Sequence, residues 1–420
     1  MNTQPPSCQS NTPDPGLLSV DDARSRIQSA IRPVACIETV AIRDGLGRVI
    51  AESVISPLDV PPHTNSAMDG YAVRSSDLAD KDDCLLKVIG TAWAGKPFDG
   101  AVKNGEAVRI MTGAVVPDDT DTVVIQENVV REGDTIRPGT GNRQGQNVRK
   151  AGEDLRKGQT VLAPGKLIMP AELGLLASLG ITEIRVMRRI RVAFFSTGDE
   201  LRPVGTDQKA GQIFDCNRYT LFGMLTRMGI DLVDMGIVPD RREEIETAFR
   251  DASASADAII TTGGVSVGEA DYVKDILEKL GTTDFWKVAM KPGRPLAFGH
   301  VGSACFFGLP GNPVSVMVTF YEFVKPALQK MAGIQETGTP VVLKVPCTTS
   351  LKKRGERMEF QRGILENDTN GELTVKTTGE QGSGILNSMS MANCFIILSP
   401  EMNSVEAGTL VEVQPFSTLV

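Results

Sequence analysis

The sequence predicts a multidomain α/β plus β protein built around a central doubly wound α/β unit. Three patterns predict it. Between about 190 and 335, short apolar runs of strand length alternate with helical stripes, the signature of an α/β sheet. Residues 57–150 carry short apolar runs broken by Gly, Pro and Asp, which reads as a turn-rich β block. Residues 340–420 repeat that second pattern and read as a small β-barrel or sandwich.

The elements follow in chain order. Residues 1–16, rich in Pro, Ser, Asn, Thr and Gln, predict a disordered tail. Ser19 with Asp22 resembles a capping box, and Ala23, Ile27, Ala30 and Ile31 give the helical stripe behind it. Strand-like runs at 85–89, 107–111 and 122–125 fill the β block. Helical periodicity returns at 170–180, with Pro170 at the start and Gly180 at the stop. The β block therefore reads as an insertion between two parts of one domain. Strands at 191–195, 231–237 and 257–261 then lead to helices around 219–228, 242–252 and 272–280. Strand-like 285–290 and 304–307 follow, then a helix from 314 to about 331. This reads as a parallel sheet, whose ligands sit beyond the carboxyl ends of the strands. Strands at 341–345, 373–376, 394–398 and 410–413 complete the chain. The expected domains are 17–56 with 151–188, an inserted β-rich 57–150, an α/β unit at 189–337 and a β-barrel at 338–420.

Composition narrows the function. A chain of 420 residues exceeds one ordinary domain. No apolar run approaches a membrane span and no signal-peptide pattern opens the sequence, so a cytoplasmic protein is expected. The seven cysteines form no CxxC pair, which reads as reduced thiols without a zinc or disulfide framework. With two histidines, His63 and His300, oxygen-ligand chemistry is favoured over multi-histidine metal sites. A net charge of −8 argues against general nucleic-acid binding. It leaves a small anionic substrate open, because screening over about 8 Å makes local lysines and arginines decisive.

Four stiff polar loops fall on the strand-end edge of the α/β unit. The first, 194–200 (FFSTGDE), sets Asp199 and Glu200 just after a strand. The second, 262–271 (TGGVSVGEAD), is a glycine turn that opens a helix, where converging backbone N–H groups and the helix dipole favour an anion. Glu269 and Asp271 at its mouth would repel a bare phosphate, and a divalent cation between them would resolve the conflict. The third, 286–295 (WKVAMKPGRP), is a rigid basic cluster. The fourth, 308–315 (GLPGNPVS), opens another helix. Each alone also fits a tight turn or a helix cap; four along one edge do so far less easily. A P-loop spacing from Gly90 to Lys96 is set aside, since Pro97 occupies the position whose hydroxyl should hold Mg²⁺.

These residues carry a resemblance to the molybdopterin molybdenumtransferase (MoeA) family, to which the C-terminal domain of gephyrin is similar. The matching motifs are 65–72 (NSAMDGYA), 109–114 (RIMTGA), 149–154 (RKAGED), 196–201 (STGDEL), 262–271, 291–295 (KPGRP), 308–313 (GLPGNP), 360–363 (FQRG) and 381–383 (QGS). The resemblance runs from about 17 to 417. The resemblance implies a homodimer with an elongated N-terminal α+β domain, an inserted β-rich domain, a molybdopterin-binding type α/β domain and a C-terminal β-barrel. It also implies insertion of molybdate into adenylylated molybdopterin as the phosphoanhydride is cleaved, with release of AMP and molybdenum cofactor. The implied cleft lies between the third and fourth domains of one subunit and the second domain of its partner. Contacts with the adenylyltransferase that supplies the pterin and with molybdoenzyme acceptors are expected.

On that reading Glu200, Asp240 and Asp271 hold Mg²⁺ or another divalent cation, with Asp199 orienting the loop. Backbone N–H groups at Gly263, Gly264 and Ser266 hold phosphate oxygens. A helix N-terminus contributes about 0.3–1 kcal/mol, or up to about 2 when partly buried, so Lys287, Lys291 and the metal must supply the rest. Lys291, Arg362 and Ser383 are expected to hold molybdate, and Arg294, Pro310 and Pro313 to line the substrate site. Asp69, Thr112 and Asp154 match family positions that complete the cleft across the dimer, although Asp69 alone also fits an Asp-Gly turn. The cysteines receive no catalytic role. Two alternatives stay open: a molybdopterin adenylyltransferase and a non-enzymatic gephyrin-like scaffold. The extra β domains and the KPGRP loop favour the inserting enzyme over the first. The lack of long linkers disfavours the second.

Overall fold

A computed structural model of the protein describes residues 16–78, 84–263, 272–335 and 341–416. Its centre is a seven-stranded sheet in the order Leu17–Leu18, Gly281–Val288, Pro295–Val301, Ala304–Leu309, Ala258–Thr262, Arg191–Thr197, Asp231–Val238. From Ala304–Leu309 to the Asp231 edge the neighbours are parallel, as expected. The expectation of a parallel sheet throughout is corrected beyond that point. Pro295–Val301 runs antiparallel to both Ala304–Leu309 and Gly281–Val288. The cause is connection length. Only Gly302 and Ser303 separate two of these strands, and Gly302 turns the chain at φ 58°, whereas a parallel partner needs a crossover of a dozen or so residues.

Both faces of this sheet are buried, which explains the near-continuous apolar strands. On one face Val192, Phe194, Ile260 and Phe307 pack under Leu221 and Leu225 of helix Cys216–Arg227 and under the helical run from Pro313 to Met331. On the other, Ala193, Phe195, Ile259 and Phe306 meet Ile245 and Phe249 of helix Arg242–Ser255, with Ile276 and Leu277 of helix Tyr272–Leu280. The helix Val20–Ala30 is capped by Ser19, whose Oγ accepts from the Asp22 backbone N–H at 3.0 Å and donates to the Asp22 carboxylate at 2.7 Å. Its stripe of Val20, Ala23 and Ile27 joins the α/β core instead of packing with the chain that follows. Arg24 on that helix ion-pairs with the buried Glu322.

Two β assemblies flank the centre. The first is a six-stranded sheet in the order Thr122–Ile125, Gly70–Val73, Glu106–Ile110, Leu86–Ala92, Thr135–Pro138, Val129–Glu132. The second joins Leu343–Pro346, Leu410–Pro415, Cys394–Leu398, Met358–Asn367 and Leu373–Thr377. A parallel bridge from Cys347 to Val375, with Thr348 N–H donating to Val375 C=O at 2.8 Å, closes this ring into a barrel. Val345, Val375, Ile396, Leu398, Val411 and Val413 fill it. The long strand Met358–Asn367, helix Leu386–Met391 and the antiparallel pair Ile37–Ala41 with Glu183–Met187 were not expected from sequence. Met290–Lys291, which belongs to the α/β segment of the chain, pairs in parallel with Met358–Asn367 and ties the barrel to the centre. Among the described residues, no helix is long and apolar enough to cross a membrane.

Candidate functional site

Strand register decides which loops share an edge. Thr197 lies level with Val238, Ser196 with Thr262, and Thr262 with Leu309. The strands therefore end together, and the segments beginning at Gly198, Pro239, Gly263 and Pro310 emerge side by side. Ser196 and Thr262 hydroxyls bond each other at 2.9 Å beneath that rim. Gly263 sits at φ 87°, and a Cβ there would stand 2.5 Å from the Thr197 carbonyl oxygen, so the turn requires glycine. Gly264, Ser266 and Asp271 lie outside the described residues.

The acidic part of the rim consists of Asp199, Glu200 and Asp240, all exposed. Asp199 Oδ1 faces the Asp240 backbone N–H at 3.4 Å. Partial desolvation, and then the charges of Asp199 and Glu200, push the Asp240 carboxyl above its usual range. A hard divalent cation takes such oxygens and would relieve the repulsion. The set is incomplete by itself: among the described residues no three carboxylates, histidines or cysteines are arranged to hold a metal ion.

The basic part is built differently. Val288 N–H donates to Arg294 C=O at 2.7 Å and closes the loop between them, with Lys287 exposed on the preceding strand. Arg294 is half-buried in that loop. Gly293 is at φ 99°, and a Cβ there would stand 2.7 Å from the Thr319 methyl. Lys291 Nζ donates to Glu359 Oε1 at 3.0 Å. Arg362 is 1% exposed; its Nε donates to Ser388 Oγ at 3.0 Å and its Nη2 to Gly382 C=O at 3.0 Å. Burial pushes its guanidinium down to about 10, which leaves it charged at neutral pH. Glu359 and Arg362 occupy opposite faces of one strand, since side chains alternate. Of the expected trio, Arg362 holds the loop that carries Ser383 by bonding the Gly382 carbonyl, whereas Lys291 lies on Glu359. Ser383 C=O accepts from Val314 N–H at 3.1 Å, setting that loop against the helix start at Pro313. Asn217 Nδ2 donates to Gly311 C=O at 2.7 Å, and Pro310 is buried.

Three predicted residues lie elsewhere. Asp69 and Thr112 flank paired strands, with Gly70 opposite Ile110. Thr112 N–H and Oγ1–H both donate to Asp69 Oδ1 at 2.7 Å and hold that carboxyl below its usual range. Asp154 is exposed, its N–H donating to Val60 C=O at 2.9 Å. Among the hydrogen bonds of the described residues, none joins these three to the strand-end loops.

Comparison with known proteins places this arrangement. Residues 18–180 match the MoeA N-terminal region (domain I and II), 193–330 a probable molybdopterin binding domain, and 344–416 the MoeA C-terminal region (domain IV). The molybdopterin molybdenumtransferase of Haemophilus influenzae is 44% identical over 96% of this chain and 100% of its own length. The chain belongs to the molybdopterin molybdenumtransferase (MoeA) family. Gephyrin of Dictyostelium discoideum is 35% identical over 90% of the chain and 59% of its own length. The crystal structure of a moeA protein from Pyrococcus horikoshii OT3 superposes with a TM-score of 0.82 at 29% identity, covering 95% of this chain and all of that one.

Within this MoeA-type chain, sequence reasoning missed Glu359, Ser388 and Asn217, which hold Lys291, Arg362 and the 308–313 loop. Glu359 precedes the FQRG motif directly, but its partner sits 68 residues away and becomes visible only through the strand register. The buried thiols of Cys305 and Cys394 are pushed up to about 12 by desolvation, so both stay protonated at neutral pH.

Proposed function

We propose that this molybdopterin molybdenumtransferase inserts molybdate into adenylylated molybdopterin at the shared strand-end rim, with Mg²⁺-dependent cleavage of the phosphoanhydride and release of AMP. The observation that carries the reading is the clustering of Asp199, Glu200 and Asp240 on the same rim as the Gly263 turn, with the Asp240 carboxyl raised by desolvation and then by its two acidic neighbours. When bound between Glu200, Asp240 and Asp271, a divalent cation supplies charge neutralisation for the phosphoanhydride. The chain's own residues do the rest. The Gly263 turn, with Gly264 and Ser266, presents N–H groups to phosphate oxygens. Lys287 and Lys291 offset the remaining charge, and Lys291 with the Arg362–Ser383 loop receives the molybdate dianion. Arg294, Pro310 and Pro313 shape the wall.

The same reading makes the active form a cytoplasmic homodimer, with Asp69, Thr112 and Asp154 of one subunit completing the cleft of the other. Exposed Ile213, Phe214, Tyr219 and Phe222 support a further covered surface. It also divides the chain at 17–56 with 151–188, 57–150, 189–337 and 338–420, save that residues 17–31 pack with the α/β unit. Separate cores around Ile50 and Ile168, around Val108, and around Val345 support that division. The test uses purified protein, adenylylated molybdopterin and Mg²⁺, with AMP release followed with and without molybdate. Molybdate-dependent AMP release is expected. ATP-dependent attachment of AMP to the pterin would overturn the reading.

A further inference from the structure

Glu359 is a buried acid at the seam between the α/β unit and the barrel, 2% exposed. Residues 290–291 pair in parallel with 358–359, and Met358 N–H donates to Ala289 C=O at 3.0 Å, so the backbones of Lys291 and Glu359 are locked level. The carboxylate is itself fixed from the barrel side. Oε1 accepts from Arg354 N–H at 3.3 Å, and Oε2 accepts from Gln361 Nε2 at 3.0 Å. Gln361 Nε2 also donates to Lys352 C=O at 2.8 Å, which holds the amide in place. The neighbouring Lys353 is committed elsewhere, its Nζ donating to Gly355 C=O at 2.8 Å and Pro400 C=O at 3.1 Å.

The one flexible participant in this frame is Lys291. Its side chain is 39% exposed, and Nζ reaches Glu359 Oε1 at 3.0 Å. A lysine is a point charge on a stem with large rotamer freedom, poorly suited by itself to holding an oxyanion in one place. An ammonium has several N–H donors, so a bond to Glu359 fixes its position and leaves others to face a ligand. We infer that Glu359 is the positioning residue for Lys291, holding its ammonium at the mouth of the seam where it meets the molybdate oxyanion. The inference rests on the proposed role of Lys291. It differs from a purely structural ion pair in one consequence: loss of Glu359 must act on molybdate through Lys291.

The test is a double-mutant cycle in the full-length protein with adenylylated molybdopterin, comparing Glu359→Gln, Lys291→Ala and the double variant. Glu359→Gln is expected to raise the molybdate KM roughly tenfold, as loss of a group that orients a ligand-holding residue does, while kcat changes less than about twofold. In the Lys291→Ala background the same change should add nothing. Should Glu359→Gln fail to fold, Glu359→Asp keeps the charge, draws it back by one methylene and should raise the KM by a smaller factor. An unchanged or lowered molybdate KM alongside an impaired Lys291→Ala, or losses that add in the double variant, would overturn the inference. Wild-type kinetics in Lys291→Ala would instead overturn the reading of Lys291 itself.

Discussion

The two halves of the strand-end rim handle charge in opposite ways. On the acidic half, Asp199, Glu200 and Asp240 are exposed, and partial desolvation, then the charges of the first two, raises the cost of ionising Asp240. On the basic half, Lys291 lies on a fixed carboxylate and Arg362 is buried among a hydroxyl and loop carbonyls. One half is short of a counterion; the other is a finished frame. Removing a group from the frame should therefore cost stability, whereas removing one from the acidic half should cost function while the fold tolerates or gains from it.

Arg362→Ala breaks the comparison at its strongest point. It leaves Ser388 and the loop carbonyls without a charged donor and opens a void, a loss of about 2–4 kcal/mol by denaturant unfolding. It should also raise the molybdate requirement more than the pterin requirement. Unchanged stability would mean that the buried guanidinium is not part of the frame.

Gly263→Ala tests the turn that shares the rim with the acidic half. Forcing an alanine to φ 87° against the Thr197 carbonyl should cost about 1–2 kcal/mol or more, with turnover falling further than stability. An alanine variant as active as wild type would show that the turn does not shape the phosphate site.

Asp240→Asn addresses the acidic half. The folded carboxyl is raised above its unfolded value, so ionising it opposes folding. That opposition is absent well below about pH 4, grows as pH rises through the unfolded value and is complete above the folded one. In chelator at neutral pH, the asparagine variant should melt at the same temperature or up to about 2 °C higher, a small gain because these charges are exposed. With Mg²⁺ added, wild type should gain stability and the variant less, which differential scanning calorimetry reads directly. Equal Mg²⁺ shifts would remove Asp240 from the ligand set.

Thr112→Val should give the smallest effect, with the opposite sign of pH dependence. Thr112 holds the Asp69 carboxyl below its usual range. The associated stability is present above about pH 4 and lost as pH falls through the folded value, so the variant should show a shallower acid limb in a pH titration of unfolding. An unchanged acid limb would detach Thr112 from the ionisation of Asp69.

Much of the fold was legible because its signals are local. The Ser19 helix cap, Pro170 opening a helix, and strands dense in Val, Ile and Phe at 191 and 258 depend on neighbours in sequence, and each produced its element. The strand Met358–Asn367 was missed because Glu359, Gln361 and Arg362 look solvent-facing until Lys291, the Lys352 carbonyl and Ser388 on a helix supply their partners. Helix Val20–Ala30 was recognised, but its packing partner was not, since a stripe shows that a face is buried and not against what.

The sequence by itself determined the family, the α/β and β character of each block and the acidic, glycine-rich and basic loops, because motifs and periodicity are written along the chain. Tertiary structure alone decided that one strand of the central sheet, Pro295–Val301, runs against all the others and that one bridge closes the barrel. It alone also set Lys291 on Glu359, while turning Arg362 inward to hold a loop. These depend on register between residues distant in sequence, and register is fixed by packing and hydrogen bonding across strands.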